Sequence, residues 1–300
     1  MNTCHYIRWT YDKRYVFVGN EGSNDISAFA VNNTTGALTA VPGSPFAAGT
    51  DPQAMALSDG YALSGFYLYV ANAGSDNVSA YTIDASTGAL APLSPGPSTI
   101  ATGKTPTSVV VVTGASVIVY VANHGGSNDI SAFYNDLTPV PGSPFPAGGN
   151  PLSLALGAGG KFLYTANPDA THPSISGFNI DPTSGVLSAL SGSPFPLPVS
   201  HYIATDQTGA YLYVTSGVYV VGYSIDATTG ALTALPGFPV AAGANAYSVS
   251  VDPTNQFLYV ANDGAGNISG FRLDASTGAL APVAGSPFPA GNHPQSIATF

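Results

Sequence analysis

Phe257-Leu-Tyr-Val-Ala-Asn262 is followed by Asn267-Ile-Ser269, then Thr277-Gly-Ala-Leu280, then Gly285-Ser-Pro-Phe288. The same phrase returns six times along the 300 residues. The asparagine that closes its first part recurs at Asn20, Asn72, Asn123, Asn167 and Asn262, with Ser216 standing in the fifth copy. Those spacings run from 44 to 52 residues, a period that marks propellers and other repeat arrays.

The sixth copy reads as four strands. Ala246 to Val251 alternates small polar and apolar residues, as a short inner strand does. Asp252-Pro-Thr-Asn255 has the residues of a turn, and Gln256 to Ala261 is an aromatic and β-branched second strand. Ile268 to Leu273 alternates again, and Asp274-Ala-Ser-Thr-Gly278 turns the chain. Leu280 to Val283 then makes an outer strand, where Pro282 is tolerated at an edge, and Gly285 to Gly291 crosses to the next copy. Four short antiparallel strands and no helix describe a propeller blade.

The fold class expected is therefore all-β, a β-propeller of four-stranded antiparallel blades in a single domain spanning 1–300. The blades fall at about 1–50, 51–104, 105–150, 151–199, 200–245 and 246–293, with 294–300 as a closing strand. Two segments, His5–Trp9 and 294–300, compete for the innermost place of the first blade. We expect the terminal strand to take it and close the ring. The recurring Phe46, Phe145, Phe195 and Phe288 should fill the gaps between blades.

Composition narrows the partners. Charged residues make up only 7 % of the chain, against roughly 25 % in an average globular protein. Lys and Arg number 6 against 16 Asp and Glu, a net charge of −10. Nucleic acid and anionic membranes need basic stripes, so neither is an expected partner. No apolar stretch is long enough for a transmembrane helix, and the lone Cys4 excludes an internal disulfide. We expect a monomer. The start, Met1 to Trp9, has no apolar signal core. Yet the Asn-, Ser- and Gly-rich, Lys-poor composition is like that of exported bacterial repeat proteins, periplasmic or extracellular.

Tyr69-Val-Ala-Asn72, Tyr120-Val-Ala-Asn123 and Tyr259-Val-Ala-Asn262, each followed by an Asn/Asp-led third strand, resemble the YVTN repeat. With the Thr-Gly-Ala-Leu turn and Gly-Ser-Pro-Phe, the unit resembles the lactonase family of propellers, which includes a bacterial phosphogluconolactonase. The resemblance covers the whole chain. It implies a propeller, and for the family's active members a hydrolase acting on lactones. The family is described as seven-bladed, whereas six repeats and one strand are counted here, so six blades are expected, with a seven-bladed form lacking one blade as the alternative. Active relatives share His, Arg and Glu near the channel. No local motif around Glu21, Arg14 or Arg272 matches that set, and no catalytic residue is carried over.

Candidate chemistry therefore comes from the breaks in the repeat. Inner strands place His5, Gln53, Thr107, Leu152, His201, Tyr247 and Gln295 at one repeat position, on the face where ligands enter a propeller channel. His293 lies on the preceding crossing. One imidazole of His5, His201 or His293 would act as general base for water attacking a lactone or ester carbonyl. Lys104 or loop amides would steady the oxyanion. Glu21, His124, His172, Asp263, Tyr247 and Gln295 are the candidate ligand-binding residues around the same mouth. No cofactor is expected. A divalent metal held by two or three His with Asp263 or Asp51 is the variant. The competing interpretations are a polar channel lining without activity, and a non-catalytic module binding a carbohydrate or protein partner on that face. Asp84, Asp181, Asp226 and Asp274 precede turns on the opposite face and read as turn formers.

Overall fold

The computed structural model describes residues 14–58, 65–114, 116–169, 171–197, 201–297 and 299, and the backbone of 4–9. Among these residues it is a β-propeller fold of six antiparallel sheets, with a single 3-10 turn at Ala158–Gly160. The chain falls into two compact units. The first holds residues 1–146 and 182–186, the second 147–181 and 187–300.

The sixth sheet shows the plan: Ala246–Val251, Phe257–Asn262, Asn267–Leu273 and Leu280–Pro282 in spatial order, each pairing with the next. The outer edge departs from the sequence reading. It is broken into two pieces, since Phe288–Pro289 in the crossing also pairs with the third strand. Between the two pieces the serine of Gly-Ser-Pro-Phe stands in for a strand: Ser286 Oγ accepts the Gly270 N–H at 3.0 Å. Ser44, Ser143 and Ser193 do the same for Ala28, Ala132 and Gly177. The repeated serine thus satisfies a backbone donor that a broken edge would leave unpaired.

The repeated asparagine has a comparable task, though not the loop-backbone role its position before a turn suggests. Asn262 is fully buried, and its Nδ2 donates to Asn267 Oδ1 (2.7 Å) and Ser269 Oγ (2.9 Å). Its Oδ1 accepts the Gly243 N–H at 3.0 Å. Asn72 repeats the set with Asn77, Ser79 and Gly49. This explains the Asn-x-Ser of the third strand, which supplies the acceptors. It also explains Gly49, Gly103, Gly149 and Gly243 before four of the inner strands, since a Cβ at Gly243 would lie 2.6 Å from Asn262 Cγ.

The second strands lie mid-sheet, and all seven residues of Val117–Asn123 are buried. In the first unit Val119 and Val121 pack with Tyr69, Ala71, Val78 and Phe133. In the second unit Leu212 and Val214 pack with Phe162, Tyr164, Ala166 and Ile175. The four buried tyrosines of this strand each donate to a turn carbonyl 65 or 66 residues further along. The pairs are Tyr69 to Asn135 (3.2 Å), Tyr120 to Gly185 (2.7 Å), Tyr164 to Gly230 (2.7 Å) and Tyr213 to Gly278 (2.8 Å). Of the recurrent phenylalanines, Phe46 and Phe195 pack into core clusters and Phe145 is buried, but Phe288 stays 38 % exposed.

The ends of the chain settle differently from expectation. Cys4–Trp9 pairs with Tyr15–Asn20 and so holds the inner place of the first sheet. The terminal segment instead lies on the sixth sheet, within the second unit. Ile297 N–H donates to Ser248 Oγ (3.4 Å) and Thr299 Oγ1 to the Val251 carbonyl (2.8 Å). That repeats how the fifth inner strand lies on the fourth, where Ile203 donates to Ser153 Oγ and Thr205 Oγ1 to the Leu156 carbonyl. Ile297 and Thr299 thus stand where the residues of a seventh inner strand would.

Two predictions follow from the tyrosines. Replacing Tyr164 by Phe leaves the Gly230 carbonyl without its buried donor and should cost about 1–3 kcal/mol, read as a lowered urea midpoint with unchanged slope. Burial also raises the pKa of Tyr69, Tyr164 and Tyr213 above the ordinary phenol value of 10.0. Above pH 10 the unfolded chain loses these protons while the folded chain keeps them. Stability should therefore be fully present below pH 10 and fall as pH rises beyond it; a flat melting temperature from pH 9 to 11.5 would contradict this.

Candidate functional site

Four of the inner strands begin with a bulge, which marks where the candidate site lies. Register shifts lie between Cys4 and Tyr6, Pro52 and Ala54, Pro106 and Ser108, and Ala246 and Ser248. The residues skipped are His5, Gln53, Thr107 and Tyr247, the repeat position singled out above. A bulged residue lacks a ladder partner, and such irregularities re-aim side chains at sheet edges and active sites. The residue two before the bulges at Gln53, Thr107 and Tyr247 is left-handed: Asp51 (φ 57°), Thr105 (φ 50°) and Asn245 (φ 51°). His293, in the corresponding place, has φ 54°. Because the geometry recurs with four residue types, it belongs to the crossing rather than to any special demand of His293.

In the second unit these positions gather polar groups. Asp263, in the loop between the second and third strands of the sixth sheet, is the hub. Its side chain is only 12 % exposed. Asn245 Nδ2 donates to its Oδ2 at 2.8 Å, while Gln295 Nε2 (3.3 Å) and His293 Nδ1 (3.2 Å) reach its Oδ1. The His293 side chain is 75 % exposed, leaving Nε2 to solvent. Two residues from Asn245, Tyr247 forms an aromatic shelf with Tyr202 and His201, ring centroids 5.0 and 5.7 Å away. His201 Nδ1 lies 3.4 Å from the Ala246 carbonyl, and Thr215 Oγ1 anchors the Tyr247 carbonyl at 2.7 Å. Asn245-Ala246-Tyr247 thus carries both the carboxylate hub and the shelf.

Of the residues read from sequence, His201, His293, Asp263, Tyr247 and Gln295 fall in this cluster. Asn245 and Tyr202 were missed. The signal for Asn245 was its alignment with Asp51, Thr105 and His293; Tyr202 had only its place beside His201. His172 does not join it. It stands on an exposed loop, where its N–H donates to Asp169 Oδ1 (3.0 Å) and its Nδ1 lies by Thr171 Oγ1 (3.0 Å).

The first unit holds the remaining candidates. Lys104 Nζ pairs with Asp76 Oδ2 at 2.6 Å, with the lysine side chain 70 % exposed. That bond and the Thr105 N–H keep the Asp76 carboxyl below its usual range. The Lys104 charge is therefore already engaged. His124 is half-buried and its N–H donates to the Thr105 carbonyl. Glu21 is half-buried in the loop after Asn20. The side chain of His5 lies outside the described residues.

Asp84, Asp226 and Asp274 accept N–H groups two and three residues ahead, as turn formers do. Among the described residues no three His, Cys, Asp or Glu cluster as a metal would need, and His293 with Asp263 makes only a pair. A groove of about 500 Å³ lined by Arg272, Leu273, Asp274, Ala279, Leu280 and Ala281 opens at the other end of the sixth sheet, away from the histidines. No helix among the described residues is long and apolar enough to cross a membrane.

Solved structures share this fold. A putative 6-phosphogluconolactonase of Bacteroides uniformis is 19 % identical, with 97 % of this chain and 86 % of that one covered at a TM-score of 0.77. A periplasmic gluconolactonase of Pseudomonas aeruginosa is 20 % identical over 97 % and 86 %, TM-score 0.76. A second putative 6-phosphogluconolactonase, from Bacteroides fragilis, is 21 % identical over 96 % and 85 %, TM-score 0.75. No curated protein sequence matches. The family profile described as "Lactonase, 7-bladed beta-propeller" matches residues 2–200 and 195–296. With a match over nearly its full length, this chain belongs to the lactonase family of β-propellers.

Proposed function

We propose that the protein hydrolyses a lactone at the second-unit cluster, with His293 as general base and Asp263 as the group that orients it. The observation that carries this reading is the His293 Nδ1 contact with a largely buried carboxylate. A carboxylate on Nδ1 favours the tautomer with that nitrogen protonated and leaves Nε2 to take a proton, the logic of a carboxylate-backed histidine. Asn245 and Gln295 hold Asp263 in place, so the ring is positioned through two further hydrogen bonds.

The reaction balances on this one imidazole. A water oxygen adds to the lactone carbonyl carbon as its proton passes to His293 Nε2. The tetrahedral oxyanion collapses, the ring C–O bond breaks, and the departing alkoxide takes the proton back from the imidazolium. The product is the open hydroxy acid. The rings of Tyr202 and His201, tilted by 49° and 32° against that of Tyr247, offer with it aromatic faces against which the substrate is oriented. Family membership and the neighbours bearing lactonase names support the reaction class.

His293→Ala should lower kcat by about 100-fold or more while leaving the fold intact by circular dichroism. Asp263→Asn should lower kcat less, and His201→Ala should act mainly on KM. Lactone turnover indifferent to His293→Ala would remove the assignment. A second reading, a carbohydrate-binding module, is favoured by the Tyr202–Tyr247 contact. Saturable sugar binding with no turnover of any lactone or activated ester would decide for it.

A further inference from the structure

We infer that the second-unit site takes an uncharged polyhydroxylated lactone and discriminates against its phosphorylated counterpart. This rests on the lactone-site reading above and adds the charge of the substrate. A phosphate dianion needs arginine, lysine or a helix N-terminus to receive it. The second unit contains two such cations, Lys161 and Arg272. Both stand at the wrong end of their sheets. Arg272 lies opposite Phe257 in the register, whereas the site lies beyond Asn262 at the other end of the same strand. Five residues of extended chain separate those ends by about 17 Å. Lys161 immediately precedes Phe162, the corresponding far end of the fourth sheet's second strand. Among the described residues of this unit the one helical element is the three-residue turn Ala158–Gly160, too short to bind an anion.

What the site does present is a carboxylate and aromatic rings. Asp263 is largely buried and held by two amides, so it repels a second anion and accepts hydroxyl donors. The shelf of Tyr247, Tyr202 and His201 suits the C–H face of a saturated sugar ring. The net charge of −10 acts in the same direction at long range.

The test uses non-hydrolysable probes: the δ-lactam of a six-carbon aldonic acid and its 6-phosphate, titrated calorimetrically at low ionic strength. The neutral lactam should bind at least tenfold more tightly. Tyr247→Ala should weaken it about tenfold, and Asp263→Asn should narrow the gap by improving the phosphorylated probe. Equal or tighter binding of the phosphorylated lactam, or no binding of either at millimolar concentration, overturns the inference. Turnover of the parent lactones separates the two claims. Neutral lactam binding without hydrolysis removes the general-base reading and keeps the ligand class. Hydrolysis with a preference for the phosphorylated lactone removes the ligand class and keeps the hydrolase.

Discussion

A carboxamide sealed from water must find every hydrogen bond it needs inside the protein, and this fold is arranged around meeting that demand repeatedly. Asn262, like Asn72, ends a buried strand and ties three pieces of chain together: its own strand, the Asn-x-Ser start of the next, and the glycine of the crossing. An unmet bond there would cost roughly 1–3 kcal/mol. The apolar packing of the second strands supplies bulk stability without direction, since hydrophobic burial alone does not choose a register. The asparagine does choose one, because a slip by one residue removes its partners.

That constraint also fixes where the reactive groups stand. The crossing must pass close over Asn262, so it carries glycine at 243, then a left-handed residue, then the bulge. The left-handed place and the bulge recur in several copies, filled by different side chains. Asn245, Tyr247, His293 and Gln295 therefore owe their positions to scaffold geometry, and their chemistry to which side chain each copy carries. Asp263 follows Asn262 directly and comes to rest under the same crossing.

Much of this could be read from the chain. Strand order and the central tyrosines follow from the repeat, because a period near 50 residues with four alternating runs allows few other structures. The divided outer edge could not, since Gly-Ser-Pro-Phe has no strand pattern and its serine acts through one side-chain oxygen. The destination of Ile297 and Thr299 was equally hidden: two segments had the same inner-strand pattern, and only pairing partners separate them. At the site, alignment located His201, Tyr247 and Gln295, but the His293–Asp263 contact joins a crossing to a loop 30 residues away. Nothing in local spacing announces such a contact. A histidine such as His172, in a loop on the appropriate face, looks the same in sequence whether or not it reaches the cluster.

The tyrosine bonds have an evolutionary corollary. Each links a strand to a turn about one and a third repeats downstream, so the third, fourth and fifth copies each carry one donor and one acceptor of the same interface. A duplicated copy arrives with both halves already made, and the loss of a copy removes both together. Such a lineage can change its number of repeats by unequal recombination without redesigning a junction. Point substitution is then left to diversify the crossings, where one copy can acquire a histidine while its siblings keep an asparagine or a threonine.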